Sequence, residues 1–101
     1  MKLQDILYKV RIIEVVGLTS IDISDIQFDS RKIIHNELFV ALKGVVSDGH
    51  IFIENAILNG ALAVVLEQFP DNLNNKVTYI KVENSHNALG LMAANFYNNP
   101  S

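Results

Sequence analysis

Apolar side chains recur along this chain with two different periods, and the switches between them set out an α/β order. Leu3, Ile6, Leu7 and Val10 fall at i, i+3, i+4 and i+7, one face of a short helix. Ile12 to Val16 is rich in β-branched residues and stops at Gly17, so it reads as a strand or an extended turn. From Thr19 to Phe28 apolar and polar residues alternate. The phase slips between Ile23 and Ile26, which predicts a bulge or turn near Ser24-Asp25. Asp29 to Glu37 reads as a polar connection, and Leu38 to Leu42 after it is an apolar run too short for a helix, which predicts a central strand covered on both faces. Phe52, Ile53, Ala56 and Ile57 return to helical spacing, with Asn59-Gly60 as the stop. Ala61 to Leu66 follows as a second buried strand, completing a right-handed βαβ unit. Phe69 to Asn75 reads as a surface loop, and Val77 with Tyr79 to Val82 as a third core strand. Ser85 is the expected cap of a last helix whose apolar face is Ala88, Leu89, Met92, Ala93 and Phe96. That helix is expected to end at Asn98-Asn99-Pro100. The fold class is α/β: a small mixed, largely parallel sheet flanked by helices, in a single domain over residues 1–101.

Composition narrows the class of function. Half of the 101 residues are hydrophobic and 19% are charged, which suits a packed core rather than a disordered chain. A net charge of -3, with Lys and Arg scattered, argues against nucleic acid as a partner. With no cysteine there is neither a disulfide nor a thiolate metal site. The longest apolar runs are far below the ~20 residues that span a bilayer, and Met1-Lys2-Leu3-Gln4-Asp5 lacks the uninterrupted apolar core expected of a signal peptide. The expectation is a cytoplasmic protein with no membrane partner and no metal site.

Polar chemistry concentrates on either side of the Leu38–Leu42 run. Phe28-Asp29-Ser30-Arg31 precedes it, and Lys43-Gly44 with Asp48-Gly49-His50 follows it, around Val45, Val46 and Ser47. Loops that leave strand ends are where α/β sheets gather ligands. A Ser30 hydroxyl with nearby backbone N–H groups would hold a phosphate or a base edge. The plain alternative is a turn closed by an Asx bond and a surface ion pair. Gly44 and Gly49 let the backbone approach a ligand, or else satisfy positive φ in a long turn. His50 caps, packs or contacts a ligand. No phosphate-loop, dinucleotide or HExxH motif occurs, and no nucleophile elbow supports a Ser30–His50–Asp48 triad, so no catalytic residue is assigned.

Phe-Asp-Ser-Arg, Glu-Leu-Phe-Val-Ala-Leu-Lys-Gly, Asp-Gly-His-Ile-Phe-Ile-Glu-Asn-Ala and Asn-Gly-Ala-Leu-Ala-Val-Val, in this order and spacing, resemble the N-terminal domain of the Mur ligases. The resemblance runs from about Ile21 to Ser101. It is nearer the MurE type, which makes UDP-N-acetylmuramoyl-tripeptide, than the MurF type. Phe96 to Ser101 resembles the hand-over into an ATP-binding central domain. Ile34-His35-Asn36-Glu37 stands where the family commonly has Pro-Gly-Asp, and Asn36 tolerates the left-handed conformation such a turn needs.

The resemblance implies a domain that holds the UDP end of UDP-N-acetylmuramoyl-L-alanyl-D-glutamate. The parent ligase would add a diamino acid, meso-diaminopimelate ahead of L-lysine, through an acyl phosphate made with ATP and Mg²⁺ bound by other domains of the same chain. This segment would carry no cofactor and no catalysis. Phe28, Ser30, Val45, Val46 and Ser47 match the UDP-contacting positions. Asp29, Arg31 and Asp48 are expected to hold the two loops in register, with Gly44, Gly49 and His50 in support. The alternatives are a MurF-type ligase domain, or an interaction module that kept the fold and lost the ligand.

Overall fold

Residues 1–44 and 48–97 are described by a computed structural model. The β-branched run Ile12–Val16 is strand β1, which settles the choice its length left open. The alternating stretch contracts to a two-residue strand β2, Ile26–Gln27, with irregular backbone at residues 23–25 where the phase slips. There Ser24 Oγ donates to the carbonyl of His35 at 2.7 Å. The long apolar runs become β3 (Glu37–Val40), β4 (Ala61–Leu66) and β5 (Thr78–Val82). Three helices, α1 (Leu3–Ile6), α2 (Ile53–Asn59) and α3 (Ser85–Tyr97), cover them.

The sheet order is β1-β5-β4-β3-β2. β2, β3, β4 and β5 pair in parallel, and only β1 runs antiparallel, against β5. The mixed, largely parallel sheet is therefore the expected one, and β3-α2-β4 is its βαβ unit. The step from β4 to the adjacent parallel β5 is made by residues 67–77 without a helix. Tyr79 helps to hold that loop, its hydroxyl accepting from Asn74 N at 2.9 Å.

Period-two alternation sorts the strand side chains into two cores. Leu38, Val40, Ala63, Val65 and Ile80 face α1 and α3, where Leu3, Ile6, Ala88 and Met92 are buried. Phe39, Ala41, Val64, Leu66 and Tyr79 face the other way, against Ile53 and Ala56 of α2. Because both faces are covered, β3 and β4 read as unbroken apolar runs rather than as alternations. Among the described residues no helix is long and apolar enough to cross a membrane.

Three expectations need correction. Ser85 does not cap α3: it is the first helical residue, and Asn84 Oδ1 accepts from Asn87 N at 3.0 Å instead. Ser85 N donates to Glu67 Oε2 at 2.8 Å, while its buried hydroxyl has no partner among the described residues. Phe28, the last apolar residue of the alternation, lies beyond β2 with its side chain 61% exposed. Glu37 belongs to β3 rather than to the polar connection, and its buried carboxylate accepts from Ile34 N and His35 N. The expected end of α3 at Asn98–Pro100 lies outside the described residues.

The turn before β3 is built as the residue at its apex suggests. Asn36 has φ 57°, the left-handed region, and its N–H donates to Gly60 O at 2.9 Å. Gly60 ends α2 with φ 118°, and a Cβ there would stand 2.9 Å from Ile34 O. Conformation and contact both demand glycine. Gly60→Ala is expected to destabilise the chain by about 1–3 kcal/mol. Urea unfolding followed by circular dichroism checks this, and an unchanged midpoint would contradict it.

Candidate functional site

Parallel pairing decides where the polar clusters go. Ile26 lies opposite Leu38 and Gln27 opposite Phe39, so the chain leaving β2 and the chain leaving β3 emerge at one edge of the sheet. Phe28–Arg31, Leu42–Gly44 and Asp48–His50 therefore share that edge, joined by Glu67 and Gln68 at the end of the parallel β4.

The first cluster is a capped 3-10 turn, Ser30–Lys32. Asp29 Oδ1 accepts from Arg31 N at 3.0 Å and from Arg31 Nε at 3.1 Å, and Oδ2 accepts from Nη2 at 3.0 Å. These hydrogen bonds, led by those from the guanidinium, hold the Asp29 carboxyl below its ordinary pKa range. Arg31 is thus committed to its own neighbour. Ser30 is buried and held by α2: its hydroxyl oxygen accepts from Asn55 Nδ2 at 3.3 Å, and its carbonyl from Asn59 Nδ2 at 2.9 Å.

The second cluster repeats the device. Asp48 Oδ1 accepts from His50 N at 2.9 Å at the start of the 3-10 turn Gly49–Phe52, and meets His50 Nδ1 at 2.7 Å. His50 Nε2 lies 2.9 Å from Glu67 N and 3.3 Å from Gln68 N. Backbone N–H groups only donate, so Nε2 accepts and the ring proton sits on Nδ1, donated to Asp48. Gly49 does not serve a positive φ. Its N–H donates to Leu42 O at 2.7 Å, and a Cβ would stand 2.7 Å from Leu42 N. Lys43 pairs with Glu67 at 3.9 Å, and its carbonyl meets His86 Nε2 at 3.1 Å. Gly44 is exposed, and Val45, Val46 and Ser47 lie outside the described residues.

Asp29, Arg31 and Asp48 were expected to hold the two loops in register, and each instead braces its own turn. The links between segments come from Asn55, Asn59, His50 and Glu67. The sequence marked Asn59 only as part of a helix stop, and nothing in it singled out Asn55 or Glu67. The available signal was the spacing of Asn55 and Asn59, four residues apart on a helix whose opposite face is apolar. Two cavities open away from Ser30, the second with His50 in its wall. One of 670 Å³ lies between the Lys9–Arg11 turn and the start of α3, and one of 490 Å³ lies between α2 and the loop around Asp71. Neither is lined by Ser30. Among the described residues no three His, Asp or Glu side chains are grouped to hold a metal.

Asp48 makes a pH dependence testable. Its carboxyl is held below the ordinary range, chiefly by the His50 backbone N–H. A depressed folded-state pKa adds stability that is present above the unfolded value, about 3.9, and is lost as pH falls through the folded value. Urea midpoints should therefore fall in acid for the wild type and fall less steeply for Asp48→Asn, which should start lower at neutral pH. Parallel profiles would remove Asp48 from the brace.

The geometry has counterparts in known proteins. Residues 22–97 match the model of the "Mur ligase family, catalytic domain". The UDP-N-acetylmuramoyl-L-alanyl-D-glutamate–2,6-diaminopimelate ligase of Cytophaga hutchinsonii is 46% identical over 102 residues, covering 100% of this chain and 21% of that one. The chain thus spans about a fifth of the length of the curated relatives it matches. In fold, MurF from Acinetobacter baumannii superposes with TM-score 0.79 at 24% identity, over 93% of this chain and 20% of that one. MurF ligase from Thermotoga maritima, solved with ADP, gives TM-score 0.63 at 32% identity over 74% of this chain and 17% of its own. A family match over three quarters of the sequence, with a relative 46% identical along the whole of it, means that this chain belongs to the Mur ligase family.

Proposed function

We propose that residues 1–101 form the substrate-recognition domain of a diaminopimelate-adding ligase of peptidoglycan synthesis, and that it holds the UDP end of UDP-N-acetylmuramoyl-L-alanyl-D-glutamate. The observation that carries this is the position of Ser30: a buried hydroxyl at the carboxyl end of a parallel strand, beside the loop that leaves the next strand. Phe28, exposed next to it, offers an aromatic face to a nucleoside. Ser30 and the 45–47 loop would supply polar contacts, with Val45 and Val46 acting through backbone or apolar surface.

The capped turns explain why the cations need not touch the ligand. Arg31 is held by Asp29 and Lys43 leans on Glu67, so a diphosphate here would rely on N–H and O–H donors. ATP and Mg²⁺ would belong to the rest of the parent ligase, since no phosphate-loop motif lies in these residues. In the ligase the chain's own part is to bind and orient. A MurF-type parent is the second reading, favoured by the fold matches, while the relative at 46% identity favours the diaminopimelate-adding type. Both would use the same nucleotide end.

Titrating UDP into the ¹⁵N-labelled chain tests the reading. Millimolar UDP should shift amides around Ser30 and from Lys43 to Asp48, and Ser30→Ala should weaken binding about three- to tenfold. No shift at those positions would refute it and favour an interaction module without this ligand.

A further inference from the structure

Asn55 and Asn59 stand one turn apart on one side of α2, and together they grip both polar ends of Ser30. Asn59 Nδ2 meets the Ser30 carbonyl at 2.9 Å. A carbonyl only accepts, so that bond fixes the turn against the helix and nothing more. The Asn55 bond decides something chemical. A serine hydroxyl has one proton and two lone pairs. With Asn55 Nδ2 donating to the oxygen at 3.3 Å, the Ser30 proton is left to point away from α2. Among the described residues no acceptor takes it.

We propose that Asn55 is a positioning residue for ligand binding. It sets Ser30 as a donor, so the group Ser30 recognises on the nucleotide is an acceptor of the nucleoside, a uracil carbonyl or a ribose oxygen, and not the uracil N3–H. This rests on the UDP reading. It gives the site a polarity that neither the family match nor the relatives' names contain. It also makes a particular substitution informative. Asn55→Asp keeps size and shape but presents only acceptors, so it would draw the Ser30 proton inward and leave the ligand facing a lone pair. Asn55→Ala merely releases the hydroxyl.

The experiment titrates uridine and UDP into the wild-type chain, Asn55→Ala, Asn55→Asp, Ser30→Ala and the Ser30→Ala/Asn55→Asp pair, following amide shifts. Uridine is neutral, so a loss there is not charge repulsion from the new carboxylate. Asn55→Ala should raise the uridine Kd about twofold, and Asn55→Asp about tenfold, as far as Ser30→Ala does. Adding Ser30→Ala to Asn55→Asp should cost nothing further, because both remove the same donor. Asn55 is exposed, so thermal midpoints should stay near the wild type. Equal losses in Asn55→Ala and Asn55→Asp, as a structural role would give, or losses that add in the pair, overturn the inference while leaving the UDP reading in place. A flat wild-type titration overturns both.

Discussion

Because β2, β3 and β4 lie side by side and run the same way, the turns that follow them must leave the sheet at one edge. Everything distinctive about this molecule follows from that. It brings Asp29-Ser30-Arg31 beside Lys43-Gly44 and Asp48-Gly49-His50, and it brings the Glu67 and Gln68 N–H groups within reach of His50. Parallel pairing in turn needs a crossover, and α2 supplies it between β3 and β4. The same helix that makes the topology possible carries Asn55 and Asn59 to Ser30. Fold and site share one element.

The edge is braced at two ranges. Asp29 and Asp48 each cap a 3-10 turn two residues on, an arrangement local enough to form wherever the turn forms. Longer links then tie turn to helix and turn to strand. His50 is the clearest, with Nδ1 donating to Asp48 and Nε2 accepting from the chain after β4. Glu67 adds another, its carboxylate receiving Ser85 N at the start of α3, where the helix dipole favours a negative charge. Most formal charges here are thereby paired within the protein. The edge is polar without being strongly basic, in keeping with a net charge of -3.

Local chemistry was a good guide where neighbours in sequence settle the outcome and a poor one elsewhere. The phase slip at Ser24-Asp25, the left-handed Asn36 and the glycine stop at Gly60 all appear where backbone preference puts them. Ser85 looked like a cap because serine usually is one, yet Asn84 lies one residue earlier and is as good a cap. Glu37 looked like loop because carboxylates avoid cores. It is buried because the tight turn before β3 offers two N–H groups to satisfy it. Phe28 continued an apolar pattern, but β2 ends before it and leaves the ring exposed.

By itself the sequence determined the order and type of the elements, the two-sided burial of β3 and β4, and the family to which their motifs belong. These depend on period, turn residues and short motifs, all of which are written within a few residues of one another. Only the tertiary structure decided which polar groups face each other. Whether His50 looked outward or back to the chain after β4 depended on a strand whose end lies up to 18 residues away in the chain. Asn55 and Ser30, separated by 25 residues, carry no mark of their meeting in the sequence. That contact exists because α2 must lie across the sheet to return the chain for a parallel strand.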